Sequence, residues 1–307
     1  MDSYHEPVLV RECIQMFAPA AHGVIVDGTF GGGGHTRHLL DAYPHVRIIG
    51  IDRDPDAIAN TPNDSRVRVV LGNFAEIERI VHDELGSPPD GPGAVDGVLL
   101  DLGISSHQVD AAARGFSYHR SGPIDMRMGR DVSQSAGDIV NEYDRDDLRD
   151  LIRRFGEERY AGRIADAIIA SRPIGDTTAL ASVIANAVPA AARRSGHPAR
   201  KTFQALRIAT NAELDALSTG LESAIQLLRP GGRICVIAYH SLEDRIVKRR
   251  IAEGTTDCVC PPDLPVCGCD RREELKDLGR FRPSADEITG NPRARSAIMR
   301  VAEKVSL

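Results

Sequence analysis

A glycine-rich turn follows a short apolar run near the start of the chain, in Val24-Ile-Val-Asp-Gly-Thr-Phe-Gly-Gly-Gly-Gly-His35. A strand, such a turn and a helix in this order are typical of nucleotide-type cofactor sites, because glycines let the backbone approach a ligand closely. No register of these glycines gives Gly-x-Gly-x-x-Gly, and Gly34 stands where a P-loop requires Lys. The turn therefore predicts an adenosine-type ligand without a bound pyrophosphate or triphosphate, for which S-adenosylmethionine (SAM) is the leading candidate.

Two carboxylates end predicted strands and are placed to contact such a ligand. Asp52 ends the second strand, where a carboxylate can accept both ribose hydroxyls of an adenosine. The alternative for Asp52, a cap on the next helix, is already served by Asp54. Asp101 ends the fourth strand, where it can bind a methionyl amino group or accept a proton from a reacting amine.

Phe74 and Gln108 lie in the loops that follow the third and fourth strands. An aromatic ring at Phe74 can lie against an adenine, although a position in the core fits it too. Gln108 offers both a hydrogen-bond donor and an acceptor, although its loop can also be a plain connection. We expect both side chains at the cofactor site.

Basic residues form four clusters in a chain whose net charge is −6. A single cluster is most simply a solvated helix face, but four of them in an acidic protein favour a polyanionic substrate. One cluster follows His240, a side chain that can titrate near neutral pH or form hydrogen bonds in the core. The candidate substrate-binding residues are Arg193, Arg194, Arg200, Lys201, His240 and Arg245.

The six cysteines fall into two groups. Cys13 and Cys235 lie in apolar stretches and are predicted to be small core residues. The other four form two Cys-x-Cys pairs, which suit a metal clip, but reduced thiols in a Pro-rich loop fit at least as well, so we assign no metal. This second group is Cys258, Cys260, Cys267 and Cys269.

The N-terminus has neither the basic nor the apolar region of a signal peptide, and no apolar run approaches the roughly 18 residues of a membrane span. We therefore expect a cytoplasmic protein without a membrane partner.

Strand and helix signals alternate over the first hundred residues. This alternation predicts a parallel sheet with helices on both faces, which would position the candidate site residues. The predicted strands are Val24–Asp27, Val46–Asp52, Val67–Leu71 and Val95–Asp101.

The alternation stops at Ser105, and apolar stripes of helical spacing continue to about Asn211. It resumes with a turn at Pro230–Gly232, a strand at Arg233–Tyr239 and a last strand at Ser296–Ala302. The predicted fold is an α/β domain of residues 1–105 and 212–307, interrupted by a helical insertion of residues 106–211.

Ten blocks, in order, resemble the bacterial 16S ribosomal-RNA cytosine-N4 methyltransferases, and they cover essentially the whole chain. They are Tyr4–Leu9, Asp27–His35, Ile51–Pro55, Leu100–Ser106, Arg114–Ser117, Asp125–Met128, Phe155–Arg159, Thr202–Arg207, His240–Lys248 and Asn291–Ser296.

The resemblance implies a class I SAM-dependent methyltransferase fold, a Rossmann-like doubly wound sheet, with a helical insertion that recognises RNA. It also implies methylation of the exocyclic N4 of a decoding-centre cytosine of 16S rRNA in the small ribosomal subunit. The sequence does not decide whether the protein forms a homodimer. By position in the family's motifs, the SAM contacts would be Gly33, Gly34, His35, Asp52, Phe74, Asp101 and Gln108.

For the reaction itself, the candidates to accept a hydrogen bond, and finally the proton, from N4 are Asp101 and the polar groups of the loop Gly103–Gln108, and we assign Asp101 as the catalytic residue. Three other functions stay open: a DNA amino-methyltransferase, a SAM-binding ribosome assembly factor without turnover, and a nicotinamide oxidoreductase. The absence of a dinucleotide fingerprint argues against the oxidoreductase. The intact carboxylates and the complete glycine turn argue against an assembly factor without turnover.

Overall fold

The structure, a computed structural model, describes residues 7–59, 61–86, 93–190, 193, 196–257 and 272–305. The chain divides into two compact units, Met1–Gly103 with Leu214–Leu307, and Ile104–Glu213. We call these the sheet unit and the helical unit. Their boundaries fall at residues 103 and 213, where the sequence analysis places them at 105 and 211.

The sheet unit contains one seven-stranded sheet in the order β3-β2-β1-β4-β5-β7-β6. The first five strands pair in parallel, and β7 is antiparallel to both of its neighbours. This arrangement is that of a class I SAM-dependent methyltransferase, so the predicted fold class is confirmed. The strands are β1 (Val24–Asp27), β2 (Arg47–Asp52), β3 (Val67–Leu71), β4 (Val95–Asp101), β5 (Leu228–Ala238), β6 (Leu275–Phe281) and β7 (Ile298–Lys304).

Helices cover both faces of this sheet, which explains why its central strands are apolar at consecutive positions. Val24 and Val26 of β1 belong to one buried cluster, whereas Ile25 between them belongs to another. The helices of this unit, numbered in chain order with those of the helical unit, are α1 (Val10–Met16), α2 (Gly34–Ala42), α3 (Pro55–Ile58), α4 (Ile77–Leu85), α11 (Glu213–Leu227), α12 (Ser241–Gly254) and α13 (Ala285–Gly290).

The helical unit has a buried core of its own, formed by the apolar stripes of its helices. Leu148, Leu151 and Ile152 of one stripe are buried, and Phe155 is partly buried against them. These residues follow the i, i+3, i+4, i+7 spacing of an amphipathic helix. The helices are α5 (Ser106–Asp110), α6 (Ala136–Glu142), α7 (Arg145–Gly156), α8 (Ala161–Ala170), α9 (Thr177–Ala187) and α10 (Arg200–Asn211).

The sheet departs from the sequence prediction at its antiparallel edge. β6 is not predicted from the sequence; its first residue, Leu275, is buried, and the other six are exposed or half-buried. β5 begins at Leu228, and its register with β4 shifts so that Arg229–Gly232 bulge out of the ladder instead of forming a separate turn. Within the described residues, no helix is both long and apolar enough to cross a bilayer.

Candidate cofactor and active site

The glycine turn joins the end of β1 to the start of α2. Gly31 and Gly33 adopt φ of 53° and 70°, the left-handed region that glycine enters without strain. Gly33 is the N-cap of α2, and Gly34 is the first residue of that helix. A Cβ at Gly33 would lie 2.7 Å from Cζ of the buried Phe30 ring, and one at Gly34 would lie 3.2 Å from Pro7. The turn therefore requires glycine on conformational and steric grounds.

Replacing Gly33 with Ala is expected to destabilise the protein by more than about 2 kcal/mol, because left-handed backbone strain and the contact with Phe30 add together. Gly86 is a matched control, since it has φ of 80° and a Cβ there meets no atom within 4 Å. Gly86→Ala should cost about 1 kcal/mol, the backbone contribution alone. Urea denaturation of both variants measures the difference, and equal losses would show that Phe30 yields to the added methyl group.

Asp52 ends β2 and ties the glycine turn to the loop after that strand. Its Oδ2 accepts the Gly31 amide at 2.7 Å, and its Oδ1 accepts the Asp54 amide at 2.8 Å. Burial raises the pKa of Asp52 to about 6, against the lowering effect of these two hydrogen bonds. Asp54 caps α3 through the Asp56 amide, with Pro55 in the first turn, as predicted. The capping role thus falls to Asp54, and Asp52 keeps lone pairs for a ligand.

Phe74 follows β3 in a short 3₁₀ helix, Phe74–Glu76, that Asn73 caps through the Ala75 amide. Its ring lies against α11, where a Cβ at Gly220 would be 2.6 Å from Phe74 Cδ2. The side chain is partly buried against the sheet core. Phe74 therefore contributes to packing, and its side chain is not fully buried.

Asp101 ends β4, next to β1 in the sheet, where the strand order reverses direction. Its Oδ1 accepts a hydrogen bond from the Tyr239 hydroxyl at 2.8 Å, and its Oδ2 lies 3.7 Å from His35 Nδ1. The side chain is 18% exposed. Burial raises the pKa of Asp101 to about 6, although the charge of His35 and the Tyr239 hydroxyl lower it.

His35 lies in the first turn of α2, and its side chain is buried. Its Nε2 is 2.8 Å from the Val8 carbonyl oxygen, which can only accept, so Nε2 carries a hydrogen, while Nδ1 faces Asp101. Asp27, at the end of β1, accepts the hydroxyl of the next residue, Thr36, at 2.7 Å. Burial raises the pKa of Asp27, and the charge of His35 lowers it.

Two of these residues, Tyr239 and Asp27, are absent from the residues proposed on sequence alone. Both stand at the carboxyl ends of parallel strands, Asp27 as the last residue of β1 and Tyr239 directly after β5. The position at a strand end that predicts Asp52 and Asp101 as site residues predicts these two as well.

Gln108 belongs to the helical unit. Its side chain is buried. The side-chain Oε1 accepts the backbone N–H of Ser105 at 3.1 Å, and the backbone N–H of Gln108 donates to the Ser105 hydroxyl at 3.2 Å. These bonds fix the first turn of α5.

The predicted substrate-binding residues have different surroundings. His240 is the N-cap of α12: its Nδ1 accepts the Glu243 amide at 3.4 Å, and Glu243 accepts the His240 amide in return. Arg245 is on the exposed surface of the same helix. Of the two roles considered for His240 from the sequence, the structure shows the hydrogen-bonding one, as a helix cap.

In the helical unit, Lys201 donates from Nζ to the Glu157 carbonyl oxygen at 2.9 Å, at the C-terminal end of α7. This contact stabilises the partial negative charge of a helix end. Arg193 and Arg200 are exposed, and Arg193 Nε donates to the Val188 carbonyl oxygen. Arg194 lies outside the described residues.

Cys13 and Cys235 are buried free cysteines, as predicted. The two Cys-x-Cys pairs, Cys258, Cys260, Cys267 and Cys269, lie outside the described residues.

Comparison with known proteins covers the whole length of the chain. The model of the MraW methylase family matches residues 2–305. The ribosomal RNA small subunit methyltransferase H of Halothermothrix orenii is 46% identical over 312 residues, 98% of each chain. The protein of the same name from Geobacter sulfurreducens is 48% identical over 316 residues, 98% of this chain and 99% of the relative.

Among solved structures, an rRNA methylase from Streptococcus thermophilus covers 97% of this chain and 96% of its own, with 10% identity and a TM-score of 0.43. Likeness at that level identifies neither a substrate nor a mechanism. The family match and the sequence relatives do carry a conclusion, because both extend over nearly every residue: the chain belongs to the MraW methylase family.

Proposed function

We propose that this SAM-dependent methyltransferase acts on the exocyclic N4 of a decoding-centre cytosine in 16S rRNA of the small ribosomal subunit, in the cytoplasm. Relatives at 46% and 48% identity are named ribosomal RNA small subunit methyltransferase H, which supports the rRNA substrate. The observation that supports amine chemistry is Asp101, a partly exposed carboxylate at the end of β4 with one oxygen fixed by Tyr239.

The residues at the carboxyl edge of the sheet suit SAM. The turn at Gly33 and Gly34 has no side chains to shield its backbone, and Asp52 presents carboxylate lone pairs beside Gly31 of the same turn. Asp52 would bind the ribose hydroxyls, the accessible part of Phe74 would contact the adenine, and Asp101 would be near the methionyl amino group. His35 would support this end of the site through the contact of its Nδ1 with Asp101. Gln108 is retained as a SAM contact from the family resemblance alone.

The chemical difficulty lies in the cytosine amine, whose lone pair is delocalised into the ring. When SAM is bound, it supplies an activated methyl group, so the protein has mainly to align the amine for an in-line displacement. Asp101 would accept a hydrogen bond from N4, favour its pyramidal form and take one N4 proton as the new C–N bond forms. The Tyr239 hydroxyl, bonded to Oδ1, orients this carboxylate.

The target base must be unstacked or flipped to reach such a site, and the enzyme must hold the surrounding RNA. We assign that task to the helical unit together with the basic face of α12. The candidates are Arg193, Arg194, Arg200 and Arg245, with Lys201 and His240 contributing through the elements that they cap. Phosphate contacts of this kind make affinity fall with rising salt.

The test is transfer of labelled methyl groups from SAM to small ribosomal subunits that lack this modification. Digestion to nucleosides and mass analysis should show N4-methylcytidine at a single site. Label on another nucleoside would refute the proposed atom, and transfer to DNA in place of rRNA would establish the DNA methyltransferase. SAM binding without transfer to either would favour a non-catalytic assembly factor.

A further inference from the structure

A cluster of four aromatic rings lies on the helical unit, outside the residues that the proposed reaction uses. We call Tyr118, His119, His197 and Phe203 the ring cluster. Tyr118 and His197 are stacked, with centroids 4.4 Å apart and planes 16° from parallel. His119 lies 4.4 Å from Tyr118 and 5.2 Å from His197, inclined to both rings. Phe203 of α10 contacts Tyr118 edge-on at 5.5 Å.

The ring cluster is anchored on one side and open on the other. Phe203 is buried at 4% exposure, and Tyr118 packs partly against the core of the unit. His119 and His197 are both exposed. The stack therefore runs from the buried Phe203 ring to exposed imidazoles at the surface of the unit.

Hydrogen bonds hold both segments in place before any ligand arrives. His197 Nδ1 accepts the Ala199 amide at 3.3 Å, and the His119 amide donates to the Ser117 hydroxyl at 3.2 Å. Just beyond His119, the Arg120 carbonyl oxygen accepts the Thr177 hydroxyl at 2.7 Å, at the start of α9. A preformed aromatic surface loses little conformational entropy on binding.

The chain around these rings carries positive charge. The segments Ala111–Ile124 and Ala191–Lys201 contain arginines and one lysine but no carboxylate, in a protein of net charge −6. Acidic side chains that flank these segments or contact them already have partners: Asp110 faces Arg120, Asp125 pairs with Arg127, and Asp176 caps α9. Burial and the charge of His119 lower the pKa of His197, which favours the neutral form of its ring.

We propose that the ring cluster is a stacking platform for an unpaired nucleobase of the RNA substrate, a second base that is bound but not methylated. Exposed aromatic rings beside cationic groups are the usual means of binding single-stranded nucleic acid. The base would lie on the outer face of His197 and extend the Tyr118–His197 stack, with phosphates held by neighbouring arginines such as Arg200. This proposal rests on RNA being the substrate.

The experiment measures the affinity of the full-length protein for a fluorescein-labelled, mixed-sequence single-stranded oligoribonucleotide by anisotropy at several salt concentrations. His197→Ala should weaken binding about 5- to 100-fold, the range for loss of one base–aromatic stack. His197→Phe should restore it, because only the flat ring is needed. Neither change should alter the salt slope, whereas Arg200→Ala should reduce it.

A matched control exists in the sheet unit, where the exposed rings of His22 and His45 are also stacked, at 5.2 Å and 17°. His45→Ala removes an equivalent surface imidazole and should leave RNA affinity unchanged. Wild-type affinity of His197→Ala, or failure of His197→Phe to restore binding, would overturn the platform. Because this readout is binding, it is independent of which atom is methylated, and the labelled-transfer assay tests that separately.

Discussion

Replacing Asp101 with Asn should reduce the rate of methyl transfer about 10²- to 10⁴-fold in single-turnover experiments with saturating SAM and RNA. Asn still accepts the Tyr239 hydrogen bond and the hydrogen bond from N4, but it cannot take the proton. The fold should survive, because burial already raises the pKa of the Asp101 carboxyl to about 6, and a neutral amide avoids that desolvation cost. Thermal unfolding checks this, and calorimetry measures SAM binding apart from turnover.

The pH dependence gives a second readout of the same carboxylate. Asp101 must be ionised to accept a proton, so the rate should fall as pH drops through about 6 in the wild-type enzyme. Tyr239→Phe removes a hydrogen bond that lowers the pKa of Asp101, and therefore this limb should move to higher pH while the rate at alkaline pH is largely retained. A rate for Asp101→Asn close to that of wild type would remove Asp101 from the mechanism.

The parallel half of the sheet and the polar residues at its carboxyl edge were predictable because one simple rule governs both. Strands buried on two faces are continuous apolar runs, and the polar residues that end them meet at one edge. Asp52 and Asp101 were found in this way, although they are far apart in sequence. The spacing of the glycines, in turn, was enough to exclude a dinucleotide fingerprint and a P-loop.

Other features depend on contacts that no local pattern contains. β6 pairs antiparallel with β7, and its mixture of exposed and buried residues gives neither a strand nor a helix period. The approach of His35 to Asp101 joins α2 to the end of β4. Lys201 was predicted as an RNA contact from its charge, yet it also donates to the C-terminal end of α7. A cationic side chain looks the same in sequence whether it faces a phosphate or a helix carbonyl.

Replacing Asp52 with Ala should weaken SAM binding at least about 100-fold, because hydrogen bonds to a charged acceptor contribute about 1.5–3 kcal/mol each and two ribose hydroxyls would lose one. Asp54→Asn is the matched control: it removes a neighbouring carboxylate, keeps a good N-cap for α3, and should change SAM affinity less than about twofold. Calorimetric titration gives both dissociation constants.

The Asp52 carboxylate also holds the Gly31 amide, so a loss of affinity alone would not identify a ribose contact. A 2′-deoxy analogue of the cofactor separates the two roles. If Asp52 binds the ribose, wild type should discriminate against the deoxy analogue and Asp52→Ala should not, since the hydroxyl and its acceptor form one interaction and their removals are not additive. Equal discrimination by both proteins would mean that Asp52 acts only by shaping the glycine turn, and that another group recognises the ribose.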